Sequence, residues 1–110
     1  MILKKLSQKI KNKIVENLKP LDAQKIILFG SYAYGKPNDD SDLDIFVIEK
    51  SFENKWAEKR KISDLLADID IPKDIMVETE EFFEAHSGSE WINTAWYDAA
   101  KYGEVLYEKR

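Results

Sequence analysis

The sequence contains no cysteine, which excludes disulfides and thiolate metal sites. Its one histidine, His86, stands beside a Ser-Gly loop, where a lone imidazole serves as a surface or capping group, and it is not cast as a catalytic residue. No apolar run approaches the length of a membrane span, and no secretory pattern opens the chain, so a cytoplasmic protein is expected. An excess of basic residues is also missing. The formal net charge of −4 argues against broad, sequence-independent nucleic-acid binding, although it leaves open a nucleotide held through a metal. Internal repeats, low-complexity tracts and linkers are absent as well. The 110 residues, 35% charged and 44% hydrophobic, have an ordinary globular balance and favour a single domain spanning 1–110.

The stretch from Lys25 to Ile48, KIILFGSYAYGKPNDDSDLDIFVI, carries most of the chemistry. It reads as strand, tight turn, loop, strand. The apolar run Ile26-Ile27-Leu28-Phe29 ends at Gly30-Ser31, and ten residues separate Ser31 from Asp42. Asp44 follows within a second run, Ile45-Phe46-Val47-Ile48. Side chains alternate along a strand, so Asp42 and Asp44 share a face while Leu43, Ile45 and Val47 point into a core. Their Cα atoms should lie about 6.6 Å apart. Like charges that close repel unless a cation lies between them, and Mg²⁺ favours one or two carboxylates plus substrate phosphate oxygens. Glycine lets backbone approach a ligand, and amides at a turn or helix start attract phosphate. Paired acids facing a phosphate-gripping turn are the parts of a phosphoryl or nucleotidyl transfer site.

Gly30-Ser31, the gap and Asp42-Leu43-Asp44 resemble the signature of the polymerase-β-like nucleotidyltransferases. The fuller string GSYAYGKPNDDSDLDIFV is similar to the minimal nucleotidyltransferase (MNT) branch, which includes antitoxins of HEPN/MNT toxin–antitoxin pairs. The resemblance implies nucleotide and phosphate contacts at Gly30, Ser31 and Ser41. It also implies catalytic and metal-binding roles for Asp42, Asp44 and a third acid at the start of a later strand. Many members carry an arginine where Tyr34 stands, so the phosphates lack that cation here unless Lys36 replaces it. Asp74, which opens the run Ile75-Met76-Val77, is preferred as the third acid to Asp70 and Asp68, because it alone is fused to an apolar β run. Asp39 and Asp40 are read as turn residues.

Residues 1–19 form a helix with an apolar stripe of Leu3, Leu6, Ile10, Ile14 and Leu18, ended by Pro20. Its lysines, Lys4, Lys5, Lys9, Lys11 and Lys13, make a solvated face or a patch for an acidic partner. Residues 52–68 form a second helix, capped by Ser51, with Trp56, Ile62, Leu65, Leu66 and Ile69 buried. Thr79 caps a short helix from Glu80 to Ala85. Ser89 caps a last helix that includes Trp91 and Trp96, both read as core residues, and Gly103 closes it. Val105-Leu106-Tyr107 is a closing edge strand.

The expected fold is α+β (α/β): the polymerase-β-like nucleotidyltransferase fold, a small mixed sheet with helices on one face and the acids on the other. The resemblance implies a transferase using ATP and Mg²⁺, with two ions, to move AMP to a hydroxyl. Larger relatives have a second, helical domain that closes over the base. A chain of this length has no room for one, so a partner would complete the site. By resemblance the partner is a HEPN protein, itself the AMP acceptor, and the chain is its antitoxin. Homodimerisation or hetero-oligomerisation fits the same logic. Two alternatives stand beside it: a non-catalytic module that neutralises a partner by occlusion, and a transferase acting on a small molecule.

Overall fold

The computed structural model describes residues 6–34 and 42–109. Four strands form one sheet: β1 (Ala23–Phe29), β2 (Leu43–Glu49), β3 (Lys73–Thr79) and β4 (Glu104–Glu108). Their spatial order is β3-β2-β1-β4. β1 runs antiparallel to β2 and to β4, while β2 and β3 are parallel. The parallel pair requires a crossover, and the helix α3 (Lys55–Leu65) provides it. The other helices are α1 (Gln8–Asn17), α2 (Ser31–Tyr34), α4 (Glu80–Ala85) and α5 (Ala95–Tyr102), with a 3₁₀ turn at Ser89–Trp91.

Strand alternation divides the apolar residues between two cores. Leu43, Ile45 and Val47 of β2 join Ile26 and Leu28 of β1, Ile75 and Val77 of β3, Ile14 of α1 and Ile62 of α3. This is the larger core, and it matches the face on which helices were expected. The opposite face is also covered over part of its area. Ile27, Phe29, Phe46 and Ile48 pack there with Phe83 of α4 and Ala99 of α5. Phe46 meets Phe83 edge-on, with ring centroids 5.1 Å apart. The sheet therefore has large side chains on both faces, and only the end of the second face is left for acids.

Element ends follow local capping chemistry. Ser7 starts α1 by accepting a hydrogen bond from the Ile10 amide, so this helix is shorter than the 1–19 expected; Leu3, Lys4 and Lys5 lie outside the described residues. The turn at 18–20 precedes and includes Pro20, which disfavours helical backbone at the residue before it. Helix α3 is capped by Asn54, whose side chain accepts from Ala57 N–H, and not by Ser51. Phe52, between the two candidates, packs against the larger core. Trp56 is the clearest correction, being 77% exposed. It stands six residues before the fully buried Ile62, which places it about 120° around the helix from the buried stripe. Thr79 caps α4, as expected, and the His86 Nδ1 lies 2.8 Å from Phe82 O at its end. Ser89 begins only the 3₁₀ turn, and the cap of α5 is Thr94, which accepts from Tyr97 N–H. Trp91 and Trp96 are half-buried and pack around the His86 ring.

Two lysines of the first helix are committed within the chain. Lys11 pairs with Glu104 at 2.9 Å and Lys13 with Asp68 at 3.2 Å. Among the described residues, no helix is long and apolar enough to cross a membrane.

Glu49, at the end of β2, is 5% exposed, and its Oε2 has no hydrogen-bond partner. Burial, a hydrogen bond to Glu58 and the charge of Glu58 push its carboxyl up to about 8, partly opposed by Lys61. The folded protein thus holds a proton at Glu49 that the unfolded chain releases above its ordinary value of 4.5. Stability from this group is complete below that value and is lost as pH rises toward 8. Glu49→Gln should remove the dependence. In urea titrations it should match the parent near pH 4.5 and exceed it by about 2 kcal/mol at pH 9.

Candidate active site

The site is built at one end of the sheet, where β1 ends and β2 and β3 begin. Phe29, the last residue of β1, pairs with Asp44 across the antiparallel ladder. Gly30 follows with φ +77°, a left-handed conformation that costs other residues free energy. The requirement at Gly30 is steric as well as conformational. A Cβ there would fall 1.9 Å from Asp44 Oδ2, well inside contact distance. Only glycine lets the turn close against that carboxylate. Ser31 then begins α2, and Ala33 N–H donates to Gly30 O at 3.0 Å.

Asp44 is matched on its other side by Asp74, its partner in the parallel β2–β3 register. Asp42, exposed and immediately before β2, completes the group. Burial first, then the negative charges of Asp74 and Asp42, push the Asp44 carboxyl from 3.8 to about 6. Among the described residues, no cation contributes to the shift of Asp44. The nearby Lys73 turns its ammonium onto the Ile71 carbonyl, 3.0 Å away. Three acids therefore converge beside a glycine turn, and among the described residues no basic side chain balances them.

The structure brings five of the six anticipated site residues to one sheet end: Gly30, Ser31, Asp42, Asp44 and Asp74. The sixth, Ser41, lies outside the described residues, as do Asp39, Asp40 and Lys36. The rival acids are placed differently. Asp68 accepts a hydrogen bond from Asn17 and pairs with Lys13. Asp70 is exposed in the segment before β3. Phe29 was not anticipated as a site residue. Its role follows from pairing register, since it fixes Gly30 next to Asp44, and one sequence gives no register.

Among the described residues, no three acids or imidazoles are already drawn into a coordination shell. The donor set nevertheless suits a hard divalent cation. It is made only of carboxylate oxygens, one of them half-buried and held uncharged more readily than usual by its neighbours. A cation between them would relieve the repulsion that raises Asp44.

The sequence pattern of the nucleotidyltransferase domain family matches residues 7–97. The chain belongs to the nucleotidyltransferase domain family. No curated protein matches the chain. Solved structures that share the fold include an MntA–HepT toxin–antitoxin, at 22% identity and TM-score 0.61, covering 94% of this chain and 74% of that one. A toxin–antitoxin with AMP-PNP is similar at 21% identity and TM-score 0.57, covering 91% and 74%. A third is the tri-AMPylated Shewanella oneidensis HEPN toxin in complex with MNT antitoxin, at 20% identity and TM-score 0.53, covering 94% and 74%. The expected mixed sheet of this fold is the one observed.

In a nucleotidyltransferase with this acid cluster, removing one charge should stabilise the ligand-free protein. Asp44 binds its proton more tightly when folded, so its destabilising effect is present above about pH 6 and absent below its ordinary value of 3.8. Asp44→Asn should raise Tm at pH 8 by roughly 4 °C, after allowance for solvent screening of a half-exposed group. By calorimetry the gain should disappear near pH 4.

Proposed function

We propose that this chain is a Mg²⁺-dependent nucleotidyltransferase that transfers AMP from ATP to a hydroxyl of a HEPN partner protein and thereby acts as an antitoxin. The observation that carries the reading is the seating of Asp44 between the Gly30 turn and Asp74. That arrangement supports a role for Asp42 and Asp44 as metal ligands, with Asp74 as the third carboxylate. Gly30 and Ser31 would receive the phosphates through the turn amides and the serine hydroxyl. Ser41 keeps its proposed phosphate contact by resemblance alone.

When bound, Mg²⁺ supplies charge neutralisation for the triphosphate and lowers the cost of forming an alkoxide nucleophile. The chain's own residues orient the reactants. Asp74 accepts the acceptor's proton as the hydroxyl oxygen attacks the α-phosphorus. The bond from the α-phosphorus to the α,β-bridging oxygen breaks, and pyrophosphate leaves past Gly30-Ser31. The solved relative with AMP-PNP and the one with a tri-AMPylated HEPN toxin support this choice of nucleotide and acceptor. So does the family match.

The test uses the purified chain, its HEPN-domain neighbour, MgCl₂ and ATP labelled at the α-phosphate. Label should appear on the HEPN protein, and chelation with EDTA should abolish it. Asp74→Ala should slow transfer about 10²–10⁴-fold, and Asp42→Asn and Asp44→Ala should leave none detectable. Equal labelling by Asp44→Ala would remove the enzyme reading. Neutralisation of the partner without any transfer would assign the protein to occlusion instead.

A further inference from the structure

The two edges of the sheet are treated very differently. The β4 edge is short and guarded. It has five residues, its pairing with β1 is interrupted between Ile26 and Ile27, and charged groups line it. Glu104 binds Lys11, Glu108 lies 3.6 Å from Lys25, and Lys109 binds Asp22 at 2.6 Å. These are the usual means of preventing edge-to-edge pairing. The β3 edge carries charges at Lys73, Asp74 and Glu78 but lacks the short length and the interruption. Its seven residues keep an unbroken register with β2 from Lys73 to Thr79. They include no proline, and among the described residues no strand pairs with the outer side. A regular strand with one free edge presents a row of unpaired amides and carbonyls.

A groove of about 230 Å³ runs beside this edge, between β3 and α3. It is lined by Lys55, Trp56, Lys59, Ile75, Met76 and Val77. Trp56 stands over it with 77% of its surface exposed, an unusual position for so large an apolar side chain. Lys59 Nζ lies 5.6 Å from the Trp56 ring centroid. Arg60, one residue on, does not line this groove; it is exposed on the outward face of α3, where it lines a depression with Trp56 and Lys59. Neither Lys59 nor Arg60 forms an ion pair with a described acid, in contrast to Lys55, which binds Glu78 at 2.8 Å. The surface thus combines a pairing edge, an aromatic lid and two uncommitted cations.

We propose that the outer edge of β3, with Trp56, Lys59 and Arg60 beside it, is the docking site for an extended acidic segment of another protein, which adds to the sheet as a fifth strand. Main-chain hydrogen bonds to the edge supply affinity, and alternate side chains supply specificity. Apolar side chains of the incoming strand fill the groove under Trp56, while its carboxylates meet Lys59 and Arg60. A second copy of this chain is a poor occupant. Two-fold pairing of β3 edges would bring α3 of both copies to the same face and oppose Lys59 and Arg60 to their own equivalents. A nucleic acid would use the cations and the ring but not the strand edge. This proposal does not rest on the transferase reading.

The probe is a capped, fluorescent peptide of about eight residues alternating valine and glutamate, a length that spans the edge. It is titrated against the full-length chain by anisotropy. Binding is expected, with slowed hydrogen exchange at alternate β3 amides. Trp56→Ala and the double variant Lys59→Glu, Arg60→Glu should each weaken it at least tenfold without lowering Tm, because the altered side chains lie outside the core. A control peptide with lysine for glutamate, and another with a central proline, should bind at least tenfold more weakly. The proposal is overturned by absence of binding or by equal affinity of either control. Unchanged affinity in Trp56→Ala, tighter binding of oligo-dT, or a Trp56-dependent dimer of the chain alone would overturn it too. Transfer of AMP is not read in this assay, so its failure and the failure of the transferase reading are separate results.

Discussion

The contact between the Gly30 backbone and the Asp44 carboxylate is the constraint around which this end of the molecule is made. It demands a residue without a side chain, in a left-handed conformation, at the step where β1 gives way to α2. It also demands that β1 and β2 hold their register, because Phe29 opposite Asp44 sets the height of the turn. The buried alternation of Ile26, Leu28, Leu43, Ile45 and Val47 secures that register: a slip by one residue would turn every apolar side chain of β2 to the wrong face. The core thus fixes a juxtaposition that is itself unfavourable. An acid is pressed against a turn and between two other acids, with its proton held up to about pH 6. Strain of this kind persists where function requires it and the surrounding fold over-determines it.

How much of this could be read from the residues alone depends on the range of the interaction involved. The strands and the pairing of acids with the Gly-Ser turn are local or nearly local patterns, and they were legible. Asp74 could be preferred over Asp70 and Asp68 because it adjoins an apolar run, and the β2–β3 register then sets it beside Asp44. Caps were harder. Ser51 and Asn54 are both good capping residues, and the choice was made by Phe52, whose packing against the larger core is a tertiary fact. Trp56 was misassigned for a related reason. Its apolar character suggested burial, but its angular position on α3 is set by Ile62 and Leu66, which face the sheet. The covering of the second face was equally hidden. Phe46 and Ile48 read simply as β residues until Phe83 and Ala99 were seen to fold back over them.

The two buried glutamates show how similar side chains are put to different use. Glu78 lies on the second face, 4% exposed, with Lys55 Nζ at 2.8 Å and Trp96 Nε1 at 2.9 Å from the same oxygen. It ties the start of α3 to α5 across the end of β3. Glu49, one strand over and on the opposite face, has no such cation bound and meets another carboxyl instead. A buried charge needs a partner, and without one the group takes up a proton. Glu78 is therefore a fixed structural tie, whereas Glu49 contributes a dependence on pH far from the Gly30 turn.

The strand β3 joins the two surfaces for which roles are proposed. Asp74, near its start, belongs to the acid cluster, and Ile75, Met76 and Val77 line the groove beside α3. With a rise of about 3.3 Å per residue, the middle of that groove is only some 7 Å along the strand from Asp74. A segment paired to the β3 edge would therefore run directly toward the acids. If that segment belongs to the protein that accepts the nucleotide, docking also does the work of orientation, replacing the search of a free hydroxyl for the α-phosphorus with a tethered approach. Separation of charge along the strand makes the arrangement self-consistent. In the proposed complex the cations Lys59 and Arg60 would receive the acidic segment at α3, while the acids at the strand's start would repel it unless a metal ion neutralised them. Docking and metal loading would then favour one another, since each supplies what the other's surface lacks.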